Sequence, residues 1–212
     1  MNHAKTTGRW WLFMGAIGVC LGLAPHADAA QRRTIEWHAT EDPRPFETNI
    51  YKQAEGMDLR LLVVKPDGWA EGQRRPVMLW IHGGGFTSGG PEAFLPSAKY
   101  GAARGAVGMA VQYRLMRSPG YRNDKKLTDE ENAAKRAETW NAFLEGPSLP
   151  DLIGDCADAI RYIRSHAAEL GVDPDRITVI GDSTGAFLCA ALGTLVEDDA
   201  RPNAVICGSS IS

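Results

Sequence analysis

A serine hydroxyl attacks a carbonyl only where the backbone presents it clear of its neighbours, and one stretch of this 212-residue chain has the residue types for that. Arg176 to Ile180, rich in β-branched residues, leads into Gly181-Asp182-Ser183-Thr184-Gly185. This is G-x-S-x-G, in which a tight turn between strand and helix lifts the serine into the open. Gly181 and Gly185 keep side chains away from the neighbouring strand and helix, so the backbone can bend sharply. Ala186 to Leu192, a run of good helix formers, follows at once. The pattern predicts Ser183 as the nucleophile of an acyl transfer.

A second stretch supplies the complementary half. His82-Gly83-Gly84-Gly85-Phe86 follows an apolar run. Three consecutive glycines admit main chain to a substrate where any Cβ would obstruct it. Acyl transfer builds negative charge on the carbonyl oxygen, and backbone N–H groups aimed at that oxygen stabilise it. A triple glycine by itself also fits a flexible loop or a phosphate cradle, but the chain has neither G-K-[ST] nor G-x-G-x-x-G. Paired with the serine turn downstream, Gly83, Gly84 and Gly85 read as an oxyanion loop, with the N–H of Thr184 as the other donor. Which glycine N–H contributes is open at this level. His82 reads as a structural hydrogen-bonding residue.

These groups need elements to hold them. Met57–Val64 reads as a strand closed by turn residues Lys65 to Gly68, after an irregular lead-in from Gln31 to Glu55 with room for one short strand. Pro76–Ile81 is an almost wholly apolar strand, suited to the middle of a sheet covered on both faces. Residues 91–104 read as helix, ended by Gly105, and Ala106–Tyr113 as the next strand. Asp155–Leu170 is an amphipathic helix with Ala157, Ile160, Ile163 and Ala167 on one side and Gly171 as its C-cap. Asn203–Gly208 reads as a strand after the serine helix. Alternation of strand and helix predicts an α/β fold with a mostly parallel sheet.

Between Leu115 and Asp155 lies an insert longer than an ordinary connection. Thr128 and Glu131 form a capping-box signature. Ala133, Ala137, Trp140 and Leu144 recur at helical spacing before Gly146-Pro147. One reading is a helix packed on the surface of the domain. The other is a cap over 118–150, with Trp140 and Phe143 joining Phe86 as walls of the substrate pocket.

The N-terminus has a positive region with Lys5 and Arg9, an uncharged run from Trp10 to Leu23, and a small-x-small site at Ala27-Asp28-Ala29. Residues 1–29 therefore read as a secretory signal peptide. Trp10–Leu23 falls short of the ~20 residues that cross a bilayer, and Val19 before Cys20 does not fit a lipoprotein. Export, to the periplasm or the medium, is expected, with no stable membrane anchor after cleavage. Removing this segment takes Lys plus Arg from 23 to 21 and Asp plus Glu from 26 to 25, leaving a net charge near −4. No basic block stands out, which argues against a nucleic-acid partner. Cys156, Cys189 and Cys207 remain, an odd number that does not suggest a disulfide framework; each reads as a small buried hydrophobe. No CxxC or His/Cys cluster has metal-ligand spacing, so no metal site is expected. Nothing in the sequence speaks to oligomeric state.

The order and spacing of His82–Phe86, Tyr113-Arg114-Leu115, Asp173-Pro174-Asp175-Arg176-Ile177 and Gly181–Gly185 resemble one group of enzymes. The chain is similar to α/β-hydrolases of the acetyl esterase/lipase kind, close to the hormone-sensitive-lipase-like and feruloyl-esterase-like carboxylesterases, from about Leu59 onward. The resemblance implies an α/β-hydrolase fold, Ser183 as acylated nucleophile, an oxyanion hole from Gly83–Gly85 and Thr184, a supporting role for Asp182, and no cofactor. It implies a small ester as substrate, acyl or aryl, with acetyl and feruloyl groups on carbohydrate as the guess. Arg114 and Arg176 read as structural or solvated arginines. Thr184 replaces the alanine common in the family and donates the same N–H.

The other departure matters more. The serine needs a base, and the family order is Ser, then Asp or Glu, then His. No histidine follows Ser183. His3 and His26 lie in the leader, His38 in the lead-in, and His166 on a helix flank. Glu197, Asp198 and Asp199 read as a solvated turn rather than a triad acid. The expectation is therefore that 30–212 is the N-terminal portion of a hydrolase domain, with later strands and helices missing, and that the chain is inactive alone. The alternative is a binding or interaction protein that keeps an esterase cleft without turnover.

Overall fold

The computed structural model describes residues 42–208; the leader and His38 lie outside them. β1 (Glu47–Ala54) and β2 (Met57–Val64) form an antiparallel hairpin. Its turn, Glu55-Gly56, takes φ of 53° and 75°, the paired positive φ whose twist suits a two-residue hairpin. β3 (Arg75–Ile81), β4 (Val107–Val111), β5 (Val172–Asp182) and β6 (Ala204–Gly208) complete a six-stranded sheet in the order β1-β2-β4-β3-β5-β6. The pairs β4–β3, β3–β5 and β5–β6 are parallel, and β2 runs antiparallel to β4. A mostly parallel sheet is the outcome the alternation predicted.

Helices cover both faces. α1 (Leu95–Ala102), entered through a 3-10 turn at Pro91–Phe94, lies on one face, where Ala98 and Ala102 pack with Val64 and Trp80. It approaches β4 so closely that a Cβ on Gly108 would stand 1.9 Å from the Ala98 carbonyl oxygen. The opposite face carries α3 (Leu149–Ser165) and α5 (Thr184–Thr194). Leu152, Cys156, Ile160 and Ile163 of α3, with Leu188, Cys189 and Leu192 of α5, cover Leu61, Leu79, Met109 and Val179. Between these lie α2 (Asp129–Glu145) and the single turn α4 (Ala167–Leu170). No helix among the described residues is long and apolar enough to cross a membrane.

Several boundaries differ from the sequence reading. The lead-in holds a full eight-residue strand, β1. The helix expected from Asp155 begins at Leu149, because the Asp151 carboxylate accepts from the Ser148 N–H and hydroxyl and Pro150 fits the first turn. It breaks at His166, whose φ/ψ of −107°/21° separates α3 from α4; Gly171, at φ 62°, then caps α4. Cys156 and Cys189 are buried as expected, but Cys207 is exposed, because β6 is an edge strand of the described sheet.

The insert folds around one buried side chain. The Asn132 amide accepts from Tyr121 Oη and the Asp124 N–H, and donates to the Asp124, Leu127 and Thr128 carbonyls. The Thr128–Glu131 capping box is formed. α2 thus organises its own loop and does not pack broadly on any strand or other helix.

Arg114 proves to be a structural arginine at the centre of the hairpin side of the sheet. Asp155 is fully buried and accepts from Arg114 N (3.1 Å), Nε (2.8 Å) and Nη2 (3.0 Å) and from Lys52 Nζ (2.8 Å). Arg114 also reaches Glu55 and Asp151, and Lys52 reaches Asp158. The hydrogen bond to Asp155 is the main reason the Arg114 guanidinium is held above its ordinary range. Burial pulls Lys52 down, but its bonds to Asp155 and Asp158 outweigh that and raise it. One carboxylate therefore ties β1, the segment after β4 and α3 together. Asp155→Ala would leave two cations facing a partly buried gap, and is expected to cost about 3–5 kcal/mol in urea unfolding. A loss below about 1 kcal/mol, the scale of a surface pair, would show that water replaces the carboxylate.

Candidate active site

The serine turn sits where β5 ends and α5 begins, and it has almost no room. A Cβ on Gly181 would stand 2.2 Å from the Gly185 carbonyl oxygen, and one on Gly185 would stand 2.1 Å from the Ile81 carbonyl oxygen. Both positions exclude any side chain. Ser183 between them takes φ 54°, ψ −122°, a conformation that costs a non-glycine residue roughly 1–3 kcal/mol. The strain holds an exposed Ser183 above the end of the sheet. Its N–H donates to the Gly208 carbonyl at the end of β6 (3.2 Å), and its carbonyl accepts from Ala186 and Phe187. The backbone of the turn is thus fixed from both sides.

The glycine loop lies directly beside it. A Cβ on Gly83 would be 2.8 Å from the Asp182 carbonyl oxygen and 3.1 Å from Ser183 Cβ. Gly84, Gly85 and Phe86 take φ of 125°, 62° and 65°, which turns the chain tightly away from the sheet. The Gly84 carbonyl closes that turn by accepting from the Thr87 and Ser88 N–H groups and the Ser88 hydroxyl. The N–H groups of Gly84 and Gly85 have no acceptor among the described residues. The Thr184 N–H, first of α5, has no intrahelical acceptor either. Gly83 thus touches Ser183, and the two residues that follow it carry N–H groups without acceptors.

His82 supports this loop. It is buried, stacks on Tyr113 with ring centroids 4.2 Å apart, and shares a 2.8 Å hydrogen bond between Nδ1 and the Gly83 carbonyl. The Tyr113 hydroxyl donates to the His82 carbonyl at 2.6 Å. Burial lowers the His82 pKa and so favours the neutral ring. It also raises the Tyr113 phenol above its ordinary range. The Thr184 hydroxyl adjoins that of Tyr113, yet is buried without a partner in hydrogen-bond geometry. His82 is committed to the loop and is not placed as a base for Ser183.

These features match known proteins. The family model BD-FAE matches residues 143–206. The chain is 30% identical over 128 residues to carboxylesterase NlhH of Mycobacterium tuberculosis, covering 60% of this chain and 31% of that protein. It is 29% identical over 134 residues to liver carboxylesterase B-1 of Rattus norvegicus, covering 63% and 20%. A solved structure of Thermogutta terrifontis esterase 2, phosphoramylated by tabun, superposes with a TM-score of 0.58 at 31% identity, covering 78% of this chain and 56% of that one. The fold is that of the α/β-hydrolases, and the sequence is similar to esterases and lipases of that fold. It spans a fifth to a third of these curated relatives and just over half of the solved esterase.

Within this α/β-hydrolase fold, the expected residues divide. Ser183, Thr184, Gly83, Gly84 and Gly85 come together, with Phe86 at the rim. Phe86 meets Phe187 of α5 edge-to-face at 5.8 Å. Phe187, half exposed one turn after the serine, was missed by the sequence reading; its i+4 offset from Ser183 was the available signal. Trp140 and Phe143 pair with each other at 5.4 Å on α2, and no described contact joins them to Ser183 or the glycine loop. His166 ends α3, with Nδ1 on the Tyr162 carbonyl and its ring stacked on Tyr162 at 4.0 Å. Asp198 and Asp199 are exposed and engage Arg201 and Arg161. No described histidine is placed to take a proton from Ser183.

The strain at Ser183 is measurable apart from any chemistry. Ser183→Gly removes the Cβ from a positive-φ position and is expected to raise stability by about 1 kcal/mol, since ~1–3 kcal/mol of relieved strain outweighs the ~0.5–1 kcal/mol that glycine costs through chain entropy. Ser183→Ala keeps the strain and should match the wild type. A Ser183→Gly chain with an unchanged or lower thermal midpoint would show that the turn is unstrained.

Proposed function

We propose that this chain carries the nucleophile and oxyanion half of a serine carboxylesterase site. The reading rests on one observation: a strained, exposed Ser183 against the Gly83 backbone, in a setting where the N–H groups of Gly84, Gly85 and Thr184 are unused. In this reading Ser183 Oγ attacks an ester carbonyl and gives up its proton. The tetrahedral oxyanion rests on the loop and Thr184 donors. The C–O bond to the alcohol breaks, the alcohol leaves with the proton, and an acyl ester remains on Ser183. Water then releases the acid and restores the hydroxyl.

The substrates proposed are small acyl or aryl esters, with acetyl or feruloyl esters of carbohydrate as the leading class. The Phe86–Phe187 pair gives an apolar wall for such a group. Trp140 and Phe143 would join it only if the segment 118–150 closes over the serine turn as a cap. Export to the periplasm or medium, after removal of 1–29, belongs to the same proposal, since such polymers lie outside the cell.

A second reading is favoured by the absence of a described base: a ligand-binding protein that keeps the cleft without turnover. Release of p-nitrophenol from p-nitrophenyl acetate separates the two. Without a base, the chain should hydrolyse this ester no faster than Ser183→Ala, because the oxyanion donors alone leave only residual catalysis. Imidazole, as a diffusible base, should then raise the wild-type rate above that of the variant. A Ser183-dependent rate without imidazole would mean that a base lies outside the described residues. No Ser183 dependence with imidazole, in two folded chains, would remove Ser183 as nucleophile and leave the binding reading.

A further inference from the structure

Three cysteines lie within the described residues, on α3, α5 and β6, and the last two elements pack against each other. α5 returns antiparallel to the strands it joins, so its register against β6 can be followed residue by residue. At one point that register is fixed: a Cβ on Gly193 would stand 3.0 Å from Val205 Cγ2 and 4.0 Å from Val205 Cβ. Helix and strand are therefore as close there as the ~3.5–4.5 Å between Cβ atoms that a disulfide spans. Four residues back along α5 is about 6 Å and reaches Cys189 on the same helix face. Two residues forward along β6 is about 6.6 Å and reaches Cys207 on the same sheet face. A second contact agrees, since the Cys207 thiol donates to the Ala186 carbonyl at 3.3 Å, one turn before Cys189.

We infer that Cys189 and Cys207 are a thiol pair that closes to a disulfide and clamps the edge strand β6 to the serine helix α5. Cys207 is the exposed member and meets the oxidant first. Its thiolate attacks a low-molecular-weight disulfide such as oxidised glutathione, forming a mixed disulfide and releasing one thiol. Cys189, deprotonated, then attacks the Cys207 sulfur and releases the second thiol. Two protein thiols are oxidised and one external disulfide is reduced. The Cys189 thiol is pushed up to about 12, by burial first and by the Cys207 charge second. Cys156 is also held high, by burial first and then by the Cys189 and Asp155 charges, and it offers no exposed atom to start the exchange.

The consequence is local to the serine turn. β6 ends in the Gly208 carbonyl that holds the Ser183 N–H, and all five of its residues are exposed. A link from Cys207 to α5 fixes this strand and so the turn hung from it. The inference is independent of the ester chemistry, and its test reads none.

The chain is treated with oxidised glutathione, remaining thiols are alkylated under denaturing conditions, and the product is cleaved at the Glu197–Asp199 carboxylates, which separate the two cysteines. The expected product is a monomer with the Cys189 and Cys207 peptides joined, Cys156 alkylated, and a thermal midpoint raised by roughly 5–10 °C. Cys189→Ala should stop at a Cys207–glutathione mixed disulfide with no gain in midpoint. A wild-type chain that also stops there, a Cys207–Cys207 dimer, or a link from Cys207 to any other cysteine would overturn the pair.

Discussion

The structure depends on a steric constraint at one point, where β3 ends, β5 ends and α5 begins. Gly185 passes over the Ile81 carbonyl, Gly181 passes under the Gly185 carbonyl, and Gly83 passes beside Ser183 with less than a side chain of clearance. Two segments about a hundred residues apart in sequence thus share a space that admits only backbone. Because no atom there can move without meeting main chain, the positive φ of Ser183 is over-determined rather than merely tolerated. The same crowding that strains the serine also leaves nearby N–H groups without acceptors. Exposure of the hydroxyl and availability of donors are two results of one packing problem.

That crowded corner needs a rigid base, and charge supplies part of it. Asp155 is buried beneath the segment following β4, which carries Tyr113 and Arg114. Arg114 and Lys52 neutralise it from two directions, while Tyr113, adjacent in sequence, holds the His82 carbonyl and stacks on its ring. A short path of hydrogen bonds therefore runs from the hairpin and α3 to the glycine loop. His82 serves that path as a neutral, buried ring. A histidine in this role is a positioning group, since its Nδ1 is already occupied by the Gly83 carbonyl.

How much of this was legible beforehand depended on how local its cause was. Glycines that exclude a Cβ, β-branched runs and the Thr128–Glu131 cap leave marks within a few residues, and the elbow, the sheet strands and α2 were readable from them. The start of α3 was missed because its signal is a serine–aspartate cap and a proline rather than a hydrophobic period. β1 was reduced to a trace because its face is half exposed, which weakens the alternation that marks a strand. Phe187 was overlooked because it reads as one more apolar residue of a helix until Phe86 is seen across from it. The placement of α2 was not readable at all. Its apolar residues have helical spacing, but spacing does not say which surface receives them, and Asn132 turns the segment in upon its own loop.

The same reasoning bears on the cysteines. Their odd number, and their places on two helices and a strand, suggested three buried hydrophobes, because neither tells which elements face each other. Once β6 is known to be an edge strand with α5 across one of its faces, Cys207 differs in kind from Cys156: it is reachable from solvent and directed at a helix whose own cysteine lies in register. An edge strand is ordinarily secured by a further strand or by cover on its open side. Where one face is already packed, as Val205 is against Gly193, a covalent bond through that face would secure the strand from the helix side. The serine turn hangs from the end of this strand, so the firmness of β6 and the geometry of Ser183 form one mechanical question.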